Sequence, residues 1–355
     1  MRKPLLCSVL LIATMVALSS VCYAQSILDL PRASQHAQVT QRIGLTDITI
    51  SYSRPLVKGR KIFGGLVPYG DTWRAGANEN TTIEFSDPVS IEGQPVPKGL
   101  YGLHMIPGEN EWTVILSKVS TAWGSFTYDQ KEDALRVTVK PQAGEAHEAL
   151  AYDFDAVTPE SAVVTLRWDR VAVPFKIAVN TKEIVPAKLK LQLRGGAQYT
   201  WEGWAEAADQ LLQYKTDLSD ALEYANRSIQ VEKRFDNLMT KANVLEAMDR
   251  KNEAAPLRAE ALAMANALQI NSYGRQLQIG GHQEEAFAVF RENAKRNPDH
   301  FIVPYEQARM ACAKGDYDTA VKNMKLALAG ADKQFQPFLQ GLLKRLEAKE
   351  DINKN

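Results

Sequence analysis

Arg54, Arg60, Trp73, Arg74, Asn78 and Glu79 crowd one stretch of the chain. It reads Tyr52-Ser53-Arg54-Pro55, Lys58-Gly59-Arg60-Lys61, Pro68-Tyr69-Gly70, Trp73-Arg74 and Gly76-Ala77-Asn78-Glu79-Asn80. Between Arg42 and Asn80, six basic residues (Arg42, Arg54, Lys58, Arg60, Lys61, Arg74) stand against three acidic ones (Asp47, Asp71, Glu79). This local excess of positive charge lies in a chain whose 42 Lys and Arg balance 42 Asp and Glu. Guanidinium forks suit carboxylate or phosphate oxygens, and a Trp beside an Arg offers a face to a ring or sugar. The pattern predicts a site for an anionic small molecule or a glycan. The same residues also suit a scaffold, in which Arg–Glu pairs pin a long loop, aromatics fill a core and Gly-Asn steps make turns. The two readings stay open at this level.

Other chemistry finds less support. His36, His104 and His147 stand at no metal-ligand spacing, and no G-x-S-x-G elbow is present. No metal or other cofactor is expected. A carboxylate pair of the kind glycoside cleavage requires would need Glu79 to meet a second acid such as Glu84, Asp129 or Asp133. His104, in Gly102-Leu103-His104-Met105, fits either a hydrogen-bonded sheet histidine or a general base. The alternative to a binding protein is therefore a secreted hydrolase acting on a glycan or other small substrate, with its site around Arg74, Glu79 and His104.

These residues lie among β-branched and aromatic runs at 47–54, 81–92, 101–106, 112–117, 135–140, 149–157, 163–168 and 173–179, separated by Gly, Pro, Asn and Asp. Ile48, Ile50 and Tyr52 alternate with polar neighbours, as in a strand with one buried face. Many short strands at this spacing predict an antiparallel sandwich or barrel-like domain with no ordinary helix between residues 40 and 180.

Beyond residue 197 the period becomes helical. Alanines recur at 221, 254, 286 and 320, with spacings of 33, 32 and 34. That is the period of tetratricopeptide-like helix hairpins, whose small residues let paired helices approach closely. About four hairpins and a capping helix near 334–349 are expected, with Pro256 and Gly274 as departures from the pattern. An unrelated helical bundle is the competing reading. Stacked hairpins suit a protein or peptide partner. The fold class is thus a multidomain β plus α chain, with a β domain over 25–185, a linker over 186–196 and tetratricopeptide-like repeats over 197–355.

The first residues follow a third logic. Arg2 and Lys3 precede an apolar run at 5–18, and Cys22-Tyr23-Ala24 presents small residues where a signal peptidase reads. Residues 1–24 are read as a signal peptide, so the protein is expected to be exported to the periplasm or beyond. A membrane anchor needs about 20 apolar residues, and a lipoprotein would carry its lipid on Cys22. Cleavage would remove Cys7 and Cys22 and leave Cys312 alone, excluding an internal disulfide. A pI near 7.0 argues against nucleic-acid partners. No later segment is apolar for long enough to make an integral membrane protein.

The densest motifs also carry a resemblance. The succession Arg54, Gly59-Arg60, Trp73-Arg74, residues 76–79, 99–101, Trp123-Gly124, Tyr128 and 133–137 resembles the bacterial domain of unknown function 2911 (DUF2911) over about residues 30–180. It implies a β fold and export, and brings no established activity. Its matched motifs add Trp123 and Tyr128 to Arg54, Arg60, Trp73, Arg74, Asn78, Glu79 and His104 as the candidate ligand-binding set.

Overall fold

The computed structural model describes residues 31–354, so the expected signal peptide lies outside the described residues. The chain divides into two compact units, one ending at Asn180 and one beginning at Thr181.

In the described part of the first unit the strands all pair antiparallel. Ten strands run in sequence: β1 (Gln35–Ile43), β2 (Thr46–Arg54), β3 (Thr82–Phe85), β4 (Val89–Ile91), β5 (Gln94–Val96), β6 (Gly99–Ile106), β7 (Trp112–Ser117), β8 (Asp133–Val139), β9 (Gln142–Asp155) and β10 (Ser161–Val179). They form a six-stranded sheet ordered β1-β2-β3-β6-β7-β8 and a four-stranded sheet ordered β5-β4-β10-β9. Ile48, Ile50 and Tyr52 are buried on β2, as their alternation predicts. Three details depart from the sequence reading. The run at 81–92 is broken by Ser86-Asp87-Pro88 into β3 and β4, with the Ser86 amide donating to the Asp47 carbonyl. The runs at 163–168 and 173–179 fuse into β10, whose irregular register at Arg167–Val171 includes Asp169 in the left-handed region at φ 53°. An extra residue absorbed in this way bends a strand without ending it. Strand β1, whose sequence is mostly polar, lies at the edge of its sheet among the described residues, pairing with β2 alone.

Ten helices make the second unit: α1 (Thr181–Gln192), α2 (Trp201–Tyr214), α3 (Leu218–Val231), α4 (Phe235–Ala247), α5 (Lys251–Met264), α6 (Ala267–Ile279), α7 (Gln283–Arg296), α8 (Ile302–Ala313), α9 (Tyr317–Gly330) and α10 (Gln336–Glu347). Helices pack pairwise as α2/α3, α4/α5, α6/α7 and α8/α9, and α10 covers α9. The recurring Ala221, Ala254, Ala286 and Ala320 are all fully buried in the second helix of each pair. Gly274, an apparent weak point, makes room for a neighbour, since a Cβ there would lie 2.3 Å from the Phe290 ring.

The expected linker over 186–196 is corrected in its first half, where α1 continues to Gln192. Val185, Leu189 and Leu193 share one helical face, and Leu189 and Leu193 pack with Trp204 and Ala208. Pro186 lacks the N–H that would bond the Lys182 carbonyl four residues back. The Thr216 hydroxyl donates to that carbonyl instead, at 3.4 Å.

Candidate functional site

Between β2 and β3 the chain runs through residues 55–81 with little regular structure, yet it is pinned at many points. Leu56 bridges Ala149 and Trp73 bridges Met105, with both Trp73–Met105 backbone bonds at 2.8 Å. The Trp73 ring stacks on Trp168 at 5.8 Å and meets Phe63 edge-on at 6.1 Å. Its Nε1 donates to the Gly76 carbonyl at 3.1 Å. The buried Tyr152 hydroxyl donates to the Ala75 carbonyl at 2.8 Å, and Asn78 Nδ2 donates to the Ser34 carbonyl at 3.0 Å. The loop is thus held by aromatic packing and main-chain bonds, and Arg74 emerges from it on a fixed base.

A cavity of about 440 Å³ opens there, within the range of small-molecule sites. Lys58, Arg60, Trp73, Arg74, Asn78 and Trp168 line it, with no Asp or Glu in its wall. The Arg60 guanidinium is braced by the Val57 and Leu56 carbonyls. Arg74 is half-buried, and its Nε is buried without a hydrogen-bond partner among the described residues. Burial pushes the Arg74 guanidinium below its ordinary pKa, against the smaller opposing field of Glu79. An arginine remains charged in such a setting. The site therefore presents a poorly solvated cation whose donors are not all used by the described residues.

Of the candidate set, Arg60, Trp73, Arg74 and Asn78 come together here. Glu79 instead pairs with Arg32 and lines a separate cavity of about 530 Å³ with His36 and Ser51. The Arg32 hydrogen bond holds the Glu79 carboxyl below its ordinary range. No other acid lines that cavity, so the carboxylate pair considered from the sequence does not form there. Arg54 turns away, its Nε donating to the Leu150 carbonyl at 2.8 Å. Trp123 is exposed, with the Arg32 guanidinium 6.0 Å from its ring centre.

His104 is buried on β6, with Nδ1 2.8 Å from Ser125 Oγ and its ring 5.4 Å from that of Tyr128. Burial drives its pKa down to about 4, with Asp133 opposing. The Tyr128 hydroxyl donates to both Asp133 oxygens at 2.8 and 2.9 Å and accepts from Arg136 at 2.6 Å. Burial, then the Asp133 hydrogen bond, raises that phenol to about 12. Tyr128 therefore belongs to a closed network with Asp133 and Arg136. Sequence reasoning missed Ser125 as the partner of His104, since only the fold brings residues 104 and 125 together. Among the described residues no group of three or more His, Cys, Asp or Glu converges in a metal-binding arrangement, and no helix is long and apolar enough to cross a membrane.

Residues 34–177 match the model of a family described as a protein of unknown function, DUF2911. The match spans nearly the whole β unit and the 440 Å³ cavity, and does not reach the helical repeats. No curated protein matches the chain.

Proposed function

Starting from a β unit of the DUF2911 family, we propose that this protein is an exported binding protein. The β unit takes a small anion in the Arg74 cavity, and the helical repeats take a protein partner. The observation that carries the ligand half is a cavity wall with three cations, no carboxylate and a buried Arg74 Nε left without a partner among the described residues. A carboxylate or phosphate oxygen on the accessible face of the guanidinium would supply an acceptor and the opposite charge together. A neutral sugar would supply only the acceptor.

Hydrolysis fits the site less well. A general base works best with a pKa near the working pH, and burial holds His104 at about 4. Glu79 is engaged by Arg32 and has no second acid beside it.

Calorimetric titration of inorganic phosphate and of acetate into the full chain tests the ligand half. Saturable one-to-one binding that weakens with added salt is expected, and Arg60→Gln should weaken it about tenfold. An absence of binding by either anion at low salt would remove the reading.

The export half rests on residues 1–24 and the partner half on the repeats. Protein recovered from its native compartment should begin at Gln25 by intact mass, and its cross-links to other proteins should fall within 181–355. A retained leader or a lipid on Cys22 would contradict the first expectation, and cross-links confined to the β unit the second.

A further inference from the structure

A second, smaller space adjoins the Arg74 cavity, so that the two stand as arms about a shared set of residues. The smaller space, of about 190 Å³, is lined by Leu66, Val67, Pro68, Trp73, Arg74 and Phe126, together with Asp71, Thr72 and Ser125. Leu66, Val67, Trp73 and Arg74 line both spaces, so Arg74 stands where the two meet. The first arm carries the cations. The second is walled mainly by apolar side chains, with Asp71 as its one carboxylate. Phe126 is 84% exposed and Leu66 48% exposed, an open apolar lip beside a desolvated cation.

Gly124 fixes how these groups meet. It sits at φ 70°, and a Cβ there would lie 2.9 Å from Arg74 Nη1 and 3.0 Å from the Phe126 ring. The guanidinium and the ring therefore approach each other over bare backbone. A positive φ is a conformation that glycine adopts without strain. The size of the second arm is also informative, because an apolar cavity of about 150 Å³ is enough to admit a benzene ring. Asp71 on its wall would repel a second negative charge, so the arm suits an uncharged group.

We propose that the ligand is a monoanion carrying a ring-sized apolar body, its charged head among Arg74, Arg60 and Lys58 and its body in the arm between Leu66 and Phe126. This rests on the anion-binding reading and adds the class of anion. A body of that size would cover the Phe126 face and exclude water from the Arg74 guanidinium. Exclusion of water strengthens the interaction between that cation and the head.

The test compares benzoate, acetate and benzyl alcohol on the full chain. Benzoate should bind about tenfold tighter than acetate or more, as expected for one extra apolar group in a fitted pocket. Benzyl alcohol should bind weaker than benzoate. Phe126→Ser should reduce the preference for benzoate over acetate to near parity, and a preference that survives the substitution would overturn the placement of the apolar body in this arm. Equal affinity for benzoate and acetate in the unaltered protein would overturn the proposal and leave the anion site standing. Benzyl alcohol matching benzoate would show that charge is not the anchor and would overturn it too. Binding of none of benzoate, acetate and phosphate would remove the anion site itself.

Discussion

As the pH falls from about 7 towards 4.5, the β unit loses stability while the helical unit of the same chain gains it. His104 has a folded pKa of about 4 against 6.5 when exposed, so between those values the unfolded chain binds more protons. Stability then rises with pH, and it is lost as acid takes the solution down through that window. Glu306 behaves in the opposite sense. It is fully buried on α8, where Oε1 accepts from Asn293 at 2.8 Å and from Asn271 at 3.0 Å, while Oε2 is buried without a partner among the described residues. Burial raises its pKa from 4.5 to about 7, against the pull of the two amides. The folded state keeps this proton longer than the unfolded one, so the stability it confers is complete below 4.5 and disappears as the pH rises through about 7.

Each shift corresponds to about 3 kcal/mol at its limit. Asp209, whose carboxyl is raised by burial, acts in the same sense as Glu306. Carboxylates lowered by their partners, such as Glu79 and Asp155 in the β unit, lose their contribution only at more acid pH. Hydrogen exchange followed by mass spectrometry resolves the two units within the intact chain. Glu306→Gln keeps an acceptor for the asparagines and should flatten the helical unit's response, raising its stability at pH 8 by about 2 kcal/mol or more. His104→Gln should flatten the acid loss in the β unit. A parallel response of both units to acid would refute the assignment of these two groups.

Replacing Arg74 with Gln should separate binding from stability. The variant should melt within about 1 kcal/mol of the unaltered protein, because the guanidinium sits partly desolvated and its Nε has no hydrogen-bond partner among the described residues. It should nevertheless lose anion affinity by about tenfold to a hundredfold, the size of a charge-assisted bond. Had Arg74 been the structural partner of Glu79, its removal would cost about 3 to 5 kcal/mol by leaving a buried charge alone. Glu79 has Arg32 instead, and both are exposed. Melting curves and titrations on one preparation distinguish the cases. A large loss of stability with unchanged anion binding would make Arg74 scaffold.

Much of the architecture was legible because it repeats. Alternation at Ile48, Ile50 and Tyr52 gave away a half-buried strand, and the alanines at 221, 254, 286 and 320 marked the places where helices touch. The polar edge strand β1 carries no such alternation strong enough to read. Residues 186–192 were hidden behind Pro186, whose cost is offset by the Thr216 hydroxyl and by an apolar face that packs on Trp204. Neither compensation is local in sequence.

At the site, local charge density singled out Arg60, Trp73, Arg74 and Asn78, and the fold gathers these into one cavity. It could not distinguish them from Arg54, which faces a carbonyl, or from Glu79, which answers to Arg32. Ser125 and Phe126 were invisible because they lie some fifty residues from Arg74 in sequence and meet it only in the fold, where Asn80 bonds Val119 and Ala122 and Ser125 meets His104. The buried Asn271–Asn293–Glu306 network spans three helices and leaves no trace at any sequence spacing.

The central claim is that the Arg74 cavity takes an anion. Its most direct measurement is the proton–nitrogen correlation of the Arg74 Nε–H, a group buried without a partner among the described residues. The arginine side-chain signal that disappears in Arg74→Gln identifies it. On adding benzoate to the unaltered protein, that signal should move downfield and saturate, while those of Arg42 and Arg250, already paired with Asp47 and Glu253, stay in place. A signal that remains fixed in excess benzoate, acetate and phosphate would contradict the account.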